Sequence, residues 1–165
     1  MSKSISDTEF ETLIFENQSL IHKICGIYAS TEVDQQDLFQ EIIINLWQGI
    51  EGFEGKSKIS TWIYRVGLNT AISKARKSKR NVLQYTQNLP EREWQADTDH
   101  EREITVLYQA IDQLKPSEKA IILLYLESKS YEEISEIVGI SKSNVSVKLV
   151  RLKKKLEQLM KPKLV

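Results

Sequence analysis

The sequence predicts an all-α fold of two small helical domains joined by a flexible linker. Apolar residues recur at helical spacing along nearly the whole chain, no alternating run is long enough for a strand, and the only prolines are Pro90, Pro116 and Pro162. A polar stretch over 81–103, with no sustained apolar period, separates a domain at 1–80 from a second at 104–165. Charge is also segregated: residues 1–54 carry a net −8, 55–80 a net +8, 81–141 a net −7 and 142–165 a net +7. Two basic blocks set between acidic ones suggest two surfaces facing a polyanion. On charge alone, two solvated lysine-rich helix ends remain an alternative.

The 165 residues, 41% hydrophobic and 28% charged, have a soluble globular composition. No apolar run approaches the ~20 residues that span a bilayer, and the first ten residues lack a secretory pattern. The expected setting is the cytoplasm, without membrane insertion. Cys25 is the single cysteine, which excludes an internal disulfide and a cysteine-based zinc site. No metal or other cofactor is expected.

In chain order, Leu38, Ile42, Leu46 and Ile50 mark the buried face of a helix over Asp37–Ile50, with Phe39, Ile43 and Trp47 on the adjoining strip. Gly49, Gly52 and Gly55 then interrupt the chain. A second helix is expected from about Ser60 to Lys79, with Ser60 or Thr61 as its N-cap. Beyond the linker, Ile104, Leu107, Ile111 and Leu114 give a further stripe, Pro116 marks a new start, and 119–126 is apolar enough for a core helix.

Residues 131–149 have the pattern of a helix-turn-helix. Gly139 supplies the turn, Ile134, Val138, Ile140 and Val145 fit the packed side, Ser135 is small, and Ser141 is a good N-cap. The second helix would present Lys142, Ser143, Asn144, Ser146, Val147 and Lys148 near its start, followed by Arg151 and Lys153 to Lys155. Short polar groups at the leading end suit base edges, and trailing cations suit phosphates.

In the first half, Lys58, Trp62, Arg65, Asn69, Ser73, Arg76 and Arg80 share one helical face, with Ile59, Ile63 and Val66 on the buried side. Lys56 precedes them. Cations, an amide and aromatic rings (Trp62, with Tyr64 nearby) fit an unpaired or melting strand better than a second duplex-reading helix. Trp62 as simple core filling stays open at this stage. Asp34, Asp37 and Glu41 also share a face, but no second half of a catalytic metal site accompanies them, so an acidic docking surface needs fewer assumptions. A DNA-binding regulator with a sensing first half is the competing class; the uninterrupted positive block at 56–80 argues against it.

The stretches Asp37-Leu38-Phe39-Gln40-Glu41 through Leu46-Trp47, Phe53-Glu54-Gly55, Ser60-Thr61-Trp62-Ile63-Tyr64-Arg65-Val66 with Asn69, and the terminal SYEEISEIVGIS…VSVKLVRLKKKL resemble the sigma-2 and sigma-4 regions of extracytoplasmic-function sigma factors of the sigma-70 family. They occur in the right order, over about 9–80 and 104–160. The resemblance implies a transcription initiation factor rather than an enzyme. It implies docking of the Asp37–Trp47 helix on the clamp coiled coil of the β′ subunit of core RNA polymerase, with Asp37, Gln40, Glu41, Asn45 and Trp47 in contact, and a further contact to the β flap. It implies recognition and opening of the minus-ten promoter element by Lys56, Lys58, Trp62, Arg65, Asn69, Ser73, Arg76 and Arg80. The minus-thirty-five element would be read by Lys142, Ser143, Asn144, Ser146, Val147, Lys148 and Arg151. An anti-sigma protein is a further partner that it allows. Ser143-Asn144 stands where family members often have Gly-Thr, and Val147-Lys148 replaces a common Ser-Arg pair, which bears on base preference.

Overall fold

The computed structural model describes residues 5–82 and 98–164; the side chains of residues 79–82 lie outside that description. Among the described residues every regular element is helical, as the sequence predicts. The chain divides into two compact units, Met1–Thr86 and Gln87–Val165.

In the first unit α1 (Asp7–Tyr28), α2 (Glu32–Gly49) and α3 (Ile59–Val82) pack in all three pairings, with a short 3-10 turn at Ile50–Gly52 after α2. Ser6 and Glu9 close a capping box at the start of α1. Ile21 and Ile24 from α1, Ile42 and Leu46 from α2 and Ile63 from α3 are sealed from solvent. Each such side chain contributes about 1.5–3 kcal/mol. Gly67 lets α3 approach α1: a Cβ there would fall 2.8 Å from Ile24 Cδ1. Polar pinning joins α2 to α3, where Asn45 Nδ2 donates to Thr70 Oγ1 at 2.8 Å and that hydroxyl donates to the Val66 carbonyl.

Two helix starts differ from the sequence expectation. α2 begins at Glu32, five residues before Asp37, because Thr31 Oγ1 accepts from the Asp34 amide at 3.1 Å and the acidic first turn suits the helix dipole. α3 begins at Ile59. The Trp62 amide donates to the Lys58 carbonyl at 3.2 Å, so Lys58 holds the N-cap position, and Thr61 is buried inside the first turn. Ser60 and Thr61 are therefore helical residues and not caps.

The second unit contains α4 (Asp99–Asp112), α5 (Pro116–Leu126), α6 (Tyr131–Val138) and α7 (Lys142–Leu164). The expected linker over 81–103 is too long at both ends: 81–82 continue α3, and 99–103 open α4 behind a Thr98–Glu101 capping box. That first turn is acidic and aperiodic, so an apolar period cannot reveal it. Residues 83–97 lie outside the described residues.

α7 is the spine of this unit, packing on α4, α5 and α6 through buried Val145, Leu149, Leu152 and Leu156. α5 has Pro116 at its start and a run of buried side chains from Ala120 to Leu124. Glu118 accepts from the Lys115 amide at 3.0 Å and from Lys155 Nζ at 3.3 Å, tying α5 to α7. Partial burial opposes ionisation of Glu118, but that amide and the Lys155 ammonium outweigh it and hold its carboxyl below the usual range.

Candidate nucleic-acid interface

Every described member of the cationic face of the first unit except Trp62 is solvent-exposed: Lys58, Arg65, Asn69, Ser73 and Arg76 lie along α3, opposite buried Ile63, Gly67, Leu68 and Ala71. The side chain of Arg80, expected at the end of this row, lies outside the described residues. The helix spacing and the burial of the opposite side together explain the alignment. Lys56 is exposed in the preceding loop and pairs with Glu54 at 2.7 Å.

Trp62 is half-buried. Its ring centroid lies 5.5 Å from that of Phe53 at a 42° tilt, and a Cβ at Gly49 would come within 3.3 Å of its Cζ2. The indole is thus held by Gly49 at the end of α2 and by Phe53 beyond it, and the side chain stays partly accessible. Contact with Phe53 and Gly49 fixes the orientation of the ring. Tyr64, expected nearby as a second stacking ring, is only 4% exposed and belongs to the core.

In the second unit, α6 ends on Gly139 in the left-handed conformation (φ 79°). A Cβ there would meet nothing within 4 Å, so glycine is required for the backbone angle and not for space. The turn is closed by Ser135, whose hydroxyl donates to the Ile140 carbonyl. Sequence reasoning explained Ser135 by size alone and missed this bond. Ser141 Oγ accepts from the Asn144 amide at 3.1 Å, as an N-cap should.

From that cap α7 exposes Lys142, Ser143, Asn144, Val147, Lys148 and Arg151, and leaves Ser146 half-buried. Lys142 is drawn back along α6 by an ion pair with Glu132 at 3.1 Å. Such an exposed pair is worth at most about 1 kcal/mol. Farther along, Lys153 lies 4.3 Å from the centre of the Tyr125 ring and Lys155 is held by Glu118, so two of the three consecutive lysines have partners within the unit.

The acidic face of α2 carries more apolar surface than its charge suggests. Val33, Asp37, Gln40, Ile44 and Trp47 follow one another at alternating spacings of four and three, all exposed, with Val33 67%, Ile44 55% and Trp47 44% accessible. Val33 and Ile44 were not among the expected contact residues; their spacing relative to Asp37 and Trp47 is the signal that identifies them. Trp47 is braced edge-on by Phe10 at 4.9 Å. Two expected members are engaged internally: Glu41 pairs with Lys74 at 3.4 Å, and the Asn45 amide is spent on Thr70.

A second apolar feature, also missed in the sequence, is a groove of about 340 Å³ between α4, α5 and α7, lined by Leu107, Ile122, Leu126, Leu156, Met160 and Leu164 among others. Cys25 is 2% exposed, and burial pushes its thiol up to about 11, which makes it a core residue. No helix among the described residues is long and apolar enough to cross a membrane.

The family model for sigma-70 region 2 matches residues 13–81, and that for sigma-70 region 4 matches residues 104–156. The chain is 29% identical over 141 residues to the RNA polymerase sigma factor SigV of Bacillus subtilis, covering 85% of this chain and 84% of that protein. It is 28% identical over 167 residues to the ECF RNA polymerase sigma-E factor of Haemophilus influenzae, covering 93% and 88%. The sigma factor RpoE of Bartonella quintana, solved in complex with the anti-sigma factor NepR, has a TM-score of 0.71 at 19% identity over 93% of this chain and 97% of that one. CnrH, solved in complex with the cytosolic domain of CnrY, has a TM-score of 0.66 at 16% identity over 95% and 90%. Region 2 carries the aromatic cationic helix, region 4 carries the glycine turn and its basic helix, and with both present in order the chain belongs to the extracytoplasmic-function group of the sigma-70 family, whose members serve RNA polymerase in promoter recognition and are not enzymes.

Proposed function

We propose that the two cationic helices divide promoter recognition between them. The loop after the 3-10 turn and the outward face of α3 bind and help open the minus-ten element, while α7 lies in the major groove of the minus-thirty-five element. The exposed stripe of α2 docks on the clamp coiled coil of core polymerase through Val33, Asp37, Gln40, Ile44 and Trp47, without Asn45. The groove between α4, α5 and α7 receives the β flap, to which it offers an apolar cleft. The helical unit that ends with α3 and the one that begins with α4 are then the two working modules. The sigma factor RpoE of Bartonella quintana, solved with the anti-sigma factor NepR, supports a partner of that kind for this chain as well.

The observation that carries the reading is the face of α3, where exposed cations and Asn69 surround a tryptophan fixed by Phe53. A single strand has unstacked bases to meet such a ring, and a duplex has none. The test is transcription by core RNA polymerase and the purified chain on a library of random promoters. Initiation from a discrete set of templates sharing two spaced elements is expected, with permanganate-reactive thymines around the start. Binding to duplex DNA without directed initiation would identify a regulator and end the proposal.

A further inference from the structure

The outward strip of α7 contains two apolar residues that neither packing nor solubility explains. Val147 is 49% exposed and Val150 54% exposed. The helix buries Val145, Leu149, Leu152 and Leu156, and Val147 points almost directly away from that side. Its neighbours one turn before and after are Ser143, Asn144, Val150 and Arg151, all exposed. A lone exposed valine is ordinary on a protein surface. Two at i and i+3, set among the residues of a cationic helix that lies against DNA in the reading above, are not.

The surrounding side chains make the centre of this face shallow. Ser143, Val147 and Val150 are short, Lys142 is held toward Glu132, and the longer Lys148 and Arg151 lie along one side of the strip. The backbone of α7 can therefore approach the floor of a major groove closely at Val147, with Lys148 and Arg151 placed to reach the phosphates of one groove wall. In that groove the bases offer hydrogen-bond donors and acceptors, and one apolar group, the C5-methyl of thymine. A valine has nothing to give the polar edges and fits the methyl.

We propose that Val147 is a specificity-determining residue that reads a thymine methyl in the upstream duplex element, with Val150 extending the apolar contact. This rests on α7 being the duplex-reading helix. Where a serine at this position would donate a hydrogen bond to several bases, the valine restricts the choice to a thymine at one position.

The test uses holoenzyme assembled from core polymerase and the full chain, on a promoter selected from a library randomised upstream. Each thymine of the selected upstream element is replaced in turn by deoxyuridine, which removes the methyl and leaves base pairing and hydrogen-bonding groups intact. Binding should weaken about fourfold at one position, the worth of one buried methyl group, and little elsewhere. Val147→Ser should bind the thymine promoter more weakly and show no deoxyuridine penalty at that position, while Arg151→Gln weakens binding but keeps the penalty. A selected element with no methyl-sensitive thymine, or a Val147→Ser variant that retains the full penalty, overturns the inference while leaving α7 as the reading helix. Absence of any upstream sequence preference overturns both.

Discussion

α3 arranges its exposed cations around a half-buried tryptophan, whereas α7 arranges its own around a strip of short side chains that includes two valines. Both helices sit in segments of similar positive charge, a net +8 over 55–80 and +7 over 142–165, so charge does not separate their roles. Shape does. A half-buried ring held by Phe53 suits a base turned out of the stack, and a shallow strip of short side chains suits the floor of an intact groove. Their glycines differ in the same instructive way. Gly67 gives α3 space against Ile24, while Gly139 gives the turn before α7 a backbone angle in open surroundings.

The largest effect that can break this comparison belongs to Trp62. Trp62→Ala should lower initiation from duplex promoters by the ~1–3 kcal/mol of a lost base stack, roughly 5- to 150-fold. Trp62→Tyr should retain much of the activity, and a template already mismatched at the minus-ten element should recover part of the loss. If the alanine variant loses thermal stability but initiates normally once folded, the ring is core filling and the contrast between the helices fails.

Gly139→Ala comes next. An alanine forced into the left-handed region costs about 1–2 kcal/mol, so the thermal transition of the second unit should fall while that of the first stays in place. Gly67→Ala should do the reverse by steric overlap, offset by up to about 1 kcal/mol of improved helix propensity. Calorimetry of the full chain checks both; a single shared shift would show that the units do not melt separately.

A last pair of substitutions sharpens the comparison through salt and base preference. Arg76→Gln should reduce affinity similarly for all promoters and lower the slope of log affinity against log salt by about 0.7–0.9, the contribution of one phosphate contact. Asn144→Ala should alter which upstream bases are preferred by about 1–3 kcal/mol if its amide makes a good direct contact. Equal, sequence-independent losses from both, measured by titration at several salt concentrations, would erase the division of roles.

Much of the fold is legible because helical periodicity is a local property. The stripe Leu38, Ile42, Leu46 is buried as its spacing requires, and Ser141 caps the helix it precedes. The helix starts at Glu32 and Asp99 were harder to read, because capping turns are polar and carry no apolar period. Within the sites, the exposed row of α3 follows from the sequence, but the fate of each aromatic does not. Trp62 and Tyr64 are two residues apart, and the packing of α1 and α2 against α3 leaves the first half-open and closes over the second.

By itself the sequence determined that this chain is helical, that its charge falls into four blocks and that a glycine turn precedes a basic helix, since each depends on neighbours a few residues apart. Only the tertiary structure decided that Asn45 is spent on Thr70, that Glu41 answers Lys74, and that an apolar groove opens between α4, α5 and α7. Those outcomes depend on which faces of separate helices meet, and the pattern within one helix does not specify its neighbours.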